Sequence, residues 1–263
     1  MIPPPDCAYL AALCKARAGL RLDTAKTYLI ESRLGPVARR EGYATPEIFI
    51  EALREGAGER AAWAAVEAMI VPEGEFFRDR AVFQRLVEEV IPELVRRRAG
   101  QPVRIWSAAC GTGQEVYSLA MMLADRPDLA RSCELYASDL SERSLEKAQS
   151  GLYSQFEVQR GLPARMLVRF FERRGEFFAL APRIRQMVRW RRVNLMDDLS
   201  RLGPFDLVLC RNMFPQFEPE SLGRVRDHLR AVLAPGGQLL LGLGEERAGD
   251  LAPLVPDIGL YAA

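Results

Sequence analysis

Histidine and paired cysteines are what this 263-residue chain most clearly lacks. His228 is its one histidine and falls among arginines in a predicted helix over residues 219–233, where we expect a surface position. The five cysteines are scattered, odd in number and contain no Cys-x-x-Cys pair, so we expect neither a metal site nor a disulfide framework. Cys110 and Cys210 fall at predicted strand ends and are interpreted as small buried residues. Catalysis that relies on an imidazole base or a histidine metal cluster is therefore disfavoured.

The chain also lacks a strong net charge and long apolar runs. Its formal net charge is +1, so no global field indicates a nucleic acid or a membrane as partner. No apolar run approaches the roughly 20 residues that span a bilayer. The N-terminus, Met1-Ile-Pro-Pro-Pro-Asp6, has none of the basic and apolar regions of a signal peptide. We expect a cytoplasmic protein that binds no nucleic acid and inserts into no membrane.

A glycine turn between a predicted strand and a predicted helix is the most informative feature present. Val103–Ser107 is the strand, Gly111 and Gly113 form the turn, and the helix begins near Gln114. Glycines let the backbone turn sharply against a ligand, and the helix directs free N–H groups at it. The third glycine of a dinucleotide fingerprint is absent, which argues against NAD and FAD. A ribose-bearing cofactor without a pyrophosphate, such as S-adenosylmethionine, fits better, although this pattern leaves methyltransferases and other doubly wound proteins equally open.

An acidic residue ends the next predicted strand. Asp139 follows Leu135–Ser138, about 26 residues beyond the glycine turn, a spacing close to that of the ribose-binding acid in nucleoside-binding sheets. Its carboxylate is placed to accept hydrogen bonds from two ribose hydroxyls. We therefore predict that Asp139 binds the cofactor.

Helical and strand patterns divide the chain into two predicted domains. Residues 1–70 contain only helical patterns, residues 71–80 form a linker, and residues 81–263 alternate strands with helices. This alternation predicts an α/β fold with a mostly parallel sheet. The turn Ala234-Pro-Gly-Gly237 before a predicted strand is typical of class I methyltransferases. Between about residues 170 and 192 the alternation of strands with helices is interrupted. We predict a β-subdomain insertion there, in which two antiparallel strands pair, Phe177–Leu180 and Ile184–Trp190.

Several motifs lie along nearly the whole chain: Gly19-Leu-Arg-Leu22, Lys26–Leu34, Glu75-Phe-Phe-Arg-Asp79, Trp106–Ser118, Ala137-Ser-Asp139, Gly151-Leu-Tyr153, Val193-Asn-Leu195 and Phe205–Asn212. With these motifs the chain resembles the CheR family of chemotaxis receptor glutamate methyltransferases. The resemblance implies a Rossmann-like class I S-adenosylmethionine-dependent methyltransferase with a small N-terminal all-helical domain and a β-subdomain. It also implies methylation of glutamate side chains on the cytoplasmic helices of methyl-accepting chemoreceptors, which gives methyl esters in chemosensory adaptation.

The resemblance also implies which residues form the site. Arg78 is a candidate catalytic residue, and the implied cofactor-binding residues are Gly74, Arg78, Ala109, Gly111, Glu115, Asp139, Asn194, Leu195, Arg211 and Asn212. Read without the family, Glu115 is an acid that favours a helix start, and Arg78 is a surface residue that pairs with a neighbouring acid. Asn194, Arg211 and Asn212 follow strands, where ligands bind in parallel sheets.

Four positions depart from the family pattern. Pro72 and Gly74 stand where the family commonly has Asn and Thr, Val116 replaces a proline, and Gln216 replaces a tyrosine that by analogy lies beside the transferred methyl. Gln216 is thus a second candidate catalytic position. These changes leave an alternative open, a cofactor-binding regulatory homologue with weakened catalysis.

The proposed acceptor needs no general base. A glutamate carboxyl has an ordinary pKa near 4.3, so it is already an ionised nucleophile at neutral pH. Catalysis then requires alignment of its oxygen with the sulfonium methyl and exclusion of water. A chain with a single histidine can do this.

Basic residues of the second predicted helix are candidates for receptor binding. Lys26, Arg33 and Arg40 recur every seven residues, close to one face. They indicate either a solvated helix face or a surface that attracts the acidic, glutamate-rich receptor. We expect a monomer, and the short loop Arg173–Glu176 argues against capture of a receptor tail peptide by the β-subdomain.

Overall fold

The computed structural model describes residues 2–71, 74–245 and 251–262, and its contacts divide the chain into two compact units. The first unit comprises Met1–Val71 and Phe214–Val225, and the second comprises Pro72–Met213 and Arg226–Ala263. The segment Phe214–Val225 was predicted in the α/β domain, yet it groups with the N-terminal helices. This pairing of distant segments left no signal in local periodicity.

Four helices form the N-terminal part of the first unit. They are α1 (Pro4–Ala18), α2 (Thr27–Arg40), α3 (Pro46–Glu55) and α4 (Glu59–Met69). Thr45 caps α3, because its hydroxyl accepts a hydrogen bond from the Ile48 N–H at 3.3 Å, and Pro46 occupies the first turn. Pro36 lies inside α2.

The second unit begins with helices and then alternates strands with helices. Its helices before the insertion are α5 (Arg80–Arg85), α6 (Ile91–Arg98), α7 (Gln114–Ala124), α8 (Pro127–Arg131) and α9 (Glu142–Ser150), with a π-helical turn over Leu86–Val90. Its first strands are β1 (Val103–Ala108) and β2 (Cys133–Asp139). The insertion that follows contains β3 (Leu152–Ser154), α10 (Gln155–Gln159), α11 (Ala164–Phe170), β4 (Phe171–Arg174), β5 (Phe177–Leu180) and α12 (Pro182–Arg185). The rest comprises β6 (Val188–Arg192), β7 (Phe205–Cys210), α13 (Pro219–Ala231), which crosses the unit boundary, β8 (Leu233–Leu241), β9 (Pro253–Val255) and β10 (Leu260–Ala262).

Seven strands form the main sheet in the order β6-β2-β1-β7-β8-β10-β9. The first five are parallel, and β10 and β9 are added antiparallel. All six residues of β7 are buried, as expected for a strand of a parallel sheet that is covered on both faces. The predicted α/β class with a mostly parallel sheet is confirmed.

The strand pairing predicted for the insertion was wrong. β5 pairs with β4 and β3 in a separate antiparallel sheet, and the predicted partner Ile184–Trp190 is split between α12 and β6. β6 instead lies parallel to β2 in the main sheet. An apolar segment near a turn cannot reveal which of two sheets it joins, because both pairings bury the same residues.

The segment after α13 also differs in detail from the prediction. Strand β8 runs through the predicted turn Ala234–Gly237, but its register with β7 shifts there, from Leu233 opposite Phe205 to Gln238 opposite Leu207. In the part of the chain that the structure describes, no helix is both long and apolar enough to cross a membrane.

Candidate active site

The predicted site residues of the second unit follow neighbouring parallel strands. Ala109 follows β1, Asp139 ends β2, Asn194 follows β6, and Arg211 with Asn212 follows β7. The carboxyl ends of parallel strands meet at one edge of a sheet, and this edge is where ligands bind in such folds. The structure therefore brings these five residues to the same edge.

The glycine turn is built by two glycines with different roles. Gly111 has φ +55°, and its N–H donates to Asp139 Oδ2 at 2.8 Å. Gly113 precedes α7 with φ +89°, and a Cβ there would lie 3.0 Å from both Ala148 Cβ and the Trp190 ring. Gly113 is thus constrained by its positive φ and by packing inside the protein, and its predicted role beside a ligand stays a prediction.

Asp139 is buried, with 6% of its surface exposed. Its Oδ1 accepts from the Ser141 N–H at 2.9 Å and its Oδ2 from the Gly111 N–H at 2.8 Å. Burial raises the pKa of this carboxyl, although the backbone N–H groups of Ser141, Gly111 and Leu140 act in the opposite direction. A carboxylate has about four acceptor positions. The backbone bonds therefore fix its orientation and leave capacity for a further donor.

Arg211 is the buried centre of an ion cluster, with 1% of its side chain exposed. Its Nη2 lies 2.6 Å from Asp79 Oδ2, and its Nη1 lies 3.4 Å from Glu115 Oε2. Nη1 also donates to the Arg78 carbonyl oxygen at 3.3 Å, and the guanidinium lies 5.6 Å from the centre of the Phe83 ring. This guanidinium is engaged by protein groups, so its direct effect is to join the Arg78–Asp79 turn to α7.

Glu115 lies in the first turn of α7 and is held from two sides. Ser107 on β1 donates its hydroxyl to Glu115 Oε1 at 2.9 Å, and Arg211 faces the other oxygen. Burial raises the pKa of Glu115, while the Arg211 charge and both hydrogen bonds lower it in part. Glu115 is therefore more than a residue that favours a helix start.

The backbone around this edge is strained. Among the described residues, four of the five non-glycine residues with positive φ are Phe77 (50°), Asp79 (57°), Ala109 (53°) and Asn212 (61°). Such conformations cost about 1–3 kcal/mol each and persist where the surroundings impose them. Here the Phe77 N–H donates to the Ser118 hydroxyl at 2.9 Å, which fastens the turn that carries Arg78 to α7. Arg78 itself is half-buried.

Gly74 packs directly against the start of α7. A Cβ at this position would lie 2.4 Å from Gln114 Oε1, so a threonine fits only if the Gln114 side chain moves. The departure at Gly74 is thus coupled to Gln114. The departure at Pro72 lies outside the described residues.

Glu245 is a site residue that the sequence analysis missed. Its carboxylate is buried, and its Oε2 accepts from the Asn212 N–H at 2.8 Å and the Gly242 N–H at 2.5 Å. A Cβ on Gly242 would lie 2.7 Å from both Glu245 Oε2 and Asn212 Oδ1. Glu245 therefore fixes the turn after β7. Its position after β8 was the only signal, since that strand also ends at the ligand edge.

Asn194 and Leu195 form the turn after β6. Asn194 Oδ1 accepts from the Met196 N–H at 3.1 Å, and the carbonyl oxygen of Leu195 lies 3.0 Å from His228 Nδ1. Both turn residues are buried. His228 was expected on the surface; it is half-buried because its ring contacts this turn.

Gln216 and the predicted receptor-binding residues belong to the other unit. Gln216 ends a 3-10 turn, and its carbonyl oxygen accepts from the Arg21 N–H at 2.8 Å. Lys26 lies 3.1 Å from Asp23, and Arg40 lies 3.4 Å from Glu41. The regular spacing on α2 therefore includes two cations that are already paired with acids.

Together, five parallel strands, a glycine turn and a buried acid at the end of β2 define an α/β nucleoside-binding fold of the class I methyltransferase type. The family profile "CheR methyltransferase, SAM binding domain" matches residues 73–251. The chain belongs to the CheR methyltransferase family.

Three relatives match this chain in sequence over most of their length. "Chemotaxis protein methyltransferase 1" of Pseudomonas aeruginosa is 35% identical over 86% of this chain and 85% of its own. A protein of the same name from Vibrio cholerae is 34% identical over 92% and 88%, respectively. "Chemotaxis protein methyltransferase" of Vibrio parahaemolyticus is 33% identical over 89% and 86%.

Proposed function

We propose that this protein transfers the methyl group of S-adenosylmethionine to glutamate side chains on the cytoplasmic helices of chemoreceptors. The products are a glutamate methyl ester and S-adenosylhomocysteine, and the reaction takes place in the cytoplasm. Membership of the CheR family supports the reaction, and the names of the relatives support the chemosensory role.

The observation that carries the proposal is a pair of carboxylates at the ligand edge of the sheet, of which Asp139 is buried and Glu115 is half-buried. Asp139 has acceptor capacity left after its backbone bonds, as a ribose hydroxyl requires. Glu115 has a carboxylate suited to the cofactor's ammonium group, because opposite charges favour ionisation of both. The residues present thus fit a ribose and an amino-acid tail without a phosphate. Gly74, Ala109, Gly111, Asn194, Leu195 and Asn212 would complete the walls of this site.

The cofactor, when bound, supplies an electrophilic methyl on a sulfonium. The residues of this chain then have to orient the acceptor carboxylate and exclude water, since the acceptor is already ionised at neutral pH. Arg78 is suited to the first task through its guanidinium, which can bind a carboxylate in a bidentate manner. Arg211, through the Arg78 carbonyl oxygen and Asp79, positions the turn that carries it.

The helical unit is the proposed receptor-recognition domain, and residues 71–80 are the proposed linker to the methyltransferase domain over 81–263. Lys26, Arg33 and Arg40 of the helical unit are the first candidates for contact with an acidic receptor. Gln216, which groups with these helices, is proposed to stand at the acceptor side of the reaction.

Methyl transfer can be tested with labelled S-adenosylmethionine and receptor-containing membranes from the source organism. We expect label on the receptor that is released by mild alkali, because methyl esters of glutamate are base-labile. A matched reaction with receptors whose methylated glutamates are changed to alanine should give none. Absence of base-labile label with every receptor of the organism would refute the proposal.

A second candidate function is supported by the departures from the family pattern at Gly74, which packs against Gln114, and at Gln216. In this alternative the protein binds the cofactor and regulates a partner without turnover. It predicts binding of S-adenosylhomocysteine in calorimetry with no methyl transfer. Gln216→Tyr should then raise turnover if the missing tyrosine is the cause, and Gln216→Phe is the control that lacks the hydroxyl.

A further inference from the structure

The first strand of the insertion contacts the glycine turn through a buried tyrosine. Tyr153 on β3 is fully buried, and its hydroxyl donates to the carbonyl oxygen of Thr112 at 2.7 Å. Thr112 is the middle residue of the turn, between Gly111 and Gly113. Burial raises the pKa of the Tyr153 hydroxyl well above its ordinary value, so this group stays protonated and remains a donor. A residue outside the main sheet therefore supports the turn.

The peptide that Tyr153 contacts lies at the most adaptable point of the turn. Gly111 and Gly113 flank Thr112 and have φ values of 55° and 89°. Glycines sample more backbone conformations than other residues, so the peptide after Thr112 has more than one accessible orientation. Its N–H, which belongs to Gly113, donates to the Cys110 carbonyl oxygen at 3.0 Å. The tyrosine hydroxyl fixes the carbonyl side of the same peptide, and the two bonds together select one orientation.

Aromatic neighbours hold the Tyr153 ring in place. Its centre lies 5.0 Å from that of Phe76 with an interplanar angle of 74°, and 6.3 Å from that of Phe171. The Phe76 and Phe171 rings also meet edge to face, with their centres 5.7 Å apart. Such edge-to-face pairs are favourable beyond the area they bury. Packing of the ring thus determines the direction in which the hydroxyl points.

The insertion also packs closely against the segment that precedes Arg78. The Phe76 N–H donates to the Arg160 carbonyl oxygen at 3.2 Å. A Cβ on Gly161 would lie 1.8 Å from the Phe76 carbonyl oxygen, so this approach of two backbones leaves no room for a side chain. Tyr153 is therefore one of several contacts through which the insertion supports the residues around the glycine turn.

We infer that Tyr153 is a positioning residue for the cofactor, which acts through the glycine turn. The inference rests on the proposed function, in which this turn forms a wall of the S-adenosylmethionine site. The Tyr153 hydroxyl holds the peptide after Thr112 in the orientation that the bound cofactor requires, so less ordering is needed on binding. Loss of this hydrogen bond lets the turn sample other orientations and lowers the affinity for the cofactor.

A second buried tyrosine provides a matched control. Tyr117 on α7 is also fully buried, and its hydroxyl donates to the carbonyl oxygen of Ala148 on α9 at 2.7 Å. Loss of either hydroxyl removes one buried hydrogen bond, so Tyr153→Phe and Tyr117→Phe should lose similar amounts of stability. Only Tyr153 donates to the middle of the glycine turn. A difference in cofactor affinity between the two variants therefore separates a positioning role from a structural one.

The test compares Tyr153→Phe, Tyr117→Phe and the parent in the full-length protein. Calorimetry measures the affinity for S-adenosylhomocysteine, and urea unfolding measures stability. Initial rates with a receptor cytoplasmic fragment give KM for S-adenosylmethionine and kcat. Amide hydrogen exchange of Gly113 reports the order of the turn without any ligand.

We expect Tyr153→Phe to weaken binding of S-adenosylhomocysteine by about three- to ten-fold, the range for one hydrogen bond. KM for S-adenosylmethionine should rise by a similar factor with kcat at saturation unchanged, and the Gly113 amide should exchange faster. Tyr117→Phe should keep parental values for all three.

Parental affinity in Tyr153→Phe would overturn the inference, as would an equal loss of affinity in both variants. A loss of stability with unchanged exchange at Gly113 would assign Tyr153 to the core alone and would also overturn it. If the parent binds S-adenosylhomocysteine and Tyr153→Phe binds it more weakly, but the parent transfers no methyl, only the proposed function fails.

Discussion

Two regions of the second unit use arginine in opposite ways. At the ligand edge, Arg211 is almost completely buried and is surrounded by Asp79, Glu115 and the Arg78 carbonyl. Among residues 160–192, nine of ten arginines are exposed, and Arg183 has no carboxylate partner among the described residues. Removal of a buried charge leaves its protein partners unpaired, so such a charge stabilises the local geometry. An exposed charge contributes little to folding and can interact with a binding partner.

Removal of the buried arginine should have the largest effect. Arg211→Met keeps the length of the side chain but leaves Asp79 and Glu115 without their cation, so we expect a loss of about 3–5 kcal/mol in the free energy of unfolding. Urea unfolding measures it. Arg131→Met, which removes a side chain that is 74% exposed, is the control and should change stability little. Equal stability of the two variants would show that the ion cluster does not hold the site.

Substitution of Asp139 should have the second largest effect. Asp139→Ala should weaken binding of S-adenosylhomocysteine by about 1.5–3 kcal/mol, the range for hydrogen bonds to a charged group. It also leaves the Gly111 and Ser141 N–H groups without their acceptor, so some stability is lost as well. Asp139→Asn keeps one acceptor and should be milder in calorimetry. Parental affinity in Asp139→Ala would mean that the nucleoside lies elsewhere.

Stability of the fold and affinity for the cofactor should depend on pH in opposite directions. Burial raises the pKa of Glu115 and Asp139 in the folded protein, so the folded state holds more protons than the unfolded state between the ordinary and the raised values. Their contribution to stability is therefore full below the ordinary pKa, about 4, and is lost as pH rises through the raised pKa. Cofactor affinity should increase over the same interval, because the ionised carboxylates bind it.

Unfolding and calorimetry across that pH interval would test both signs. Glu115→Gln should flatten the contribution of Glu115 in both measurements, and Glu172→Gln, at an exposed position, should leave both profiles unchanged. Stability and affinity that change in the same direction would contradict the assignment.

The smallest effect on folding is expected in the insertion. Arg173 is exposed on β4, and its Nε donates to the Gly175 carbonyl oxygen at 3.2 Å. Arg173→Gln should change the free energy of unfolding by no more than about 0.5 kcal/mol. Thermal unfolding of Arg173→Gln and of Arg211→Met, measured under the same conditions, compares the two losses of stability directly. A loss similar to that of Arg211→Met would remove the distinction between the two regions.

Local sequence patterns were sufficient for most elements. The alternation of strand and helix patterns after residue 80 predicted the parallel sheet. Patterns failed where two distant partners were equally suitable. The strand Val188–Arg192 joined β2 instead of β5, and Phe214–Val225 joined the N-terminal helices. Both choices depend on contacts far apart in sequence, which periodicity does not encode.

The sequence by itself determined the α/β class, the family, and the glycine turn and the acid Asp139 that follow the first two strands, because each depends on residue type and short-range spacing. Only the tertiary structure decided what those residues do for one another. It showed that Gly113 packs against Ala148 and Trp190. Arg211 forms ion pairs with Glu115 and Asp79. The unpredicted Glu245 accepts a hydrogen bond from the Asn212 N–H. The physical reason is burial. Away from water each charge and each N–H group needs a partner, and the chain supplies those partners from positions that only folding brings together.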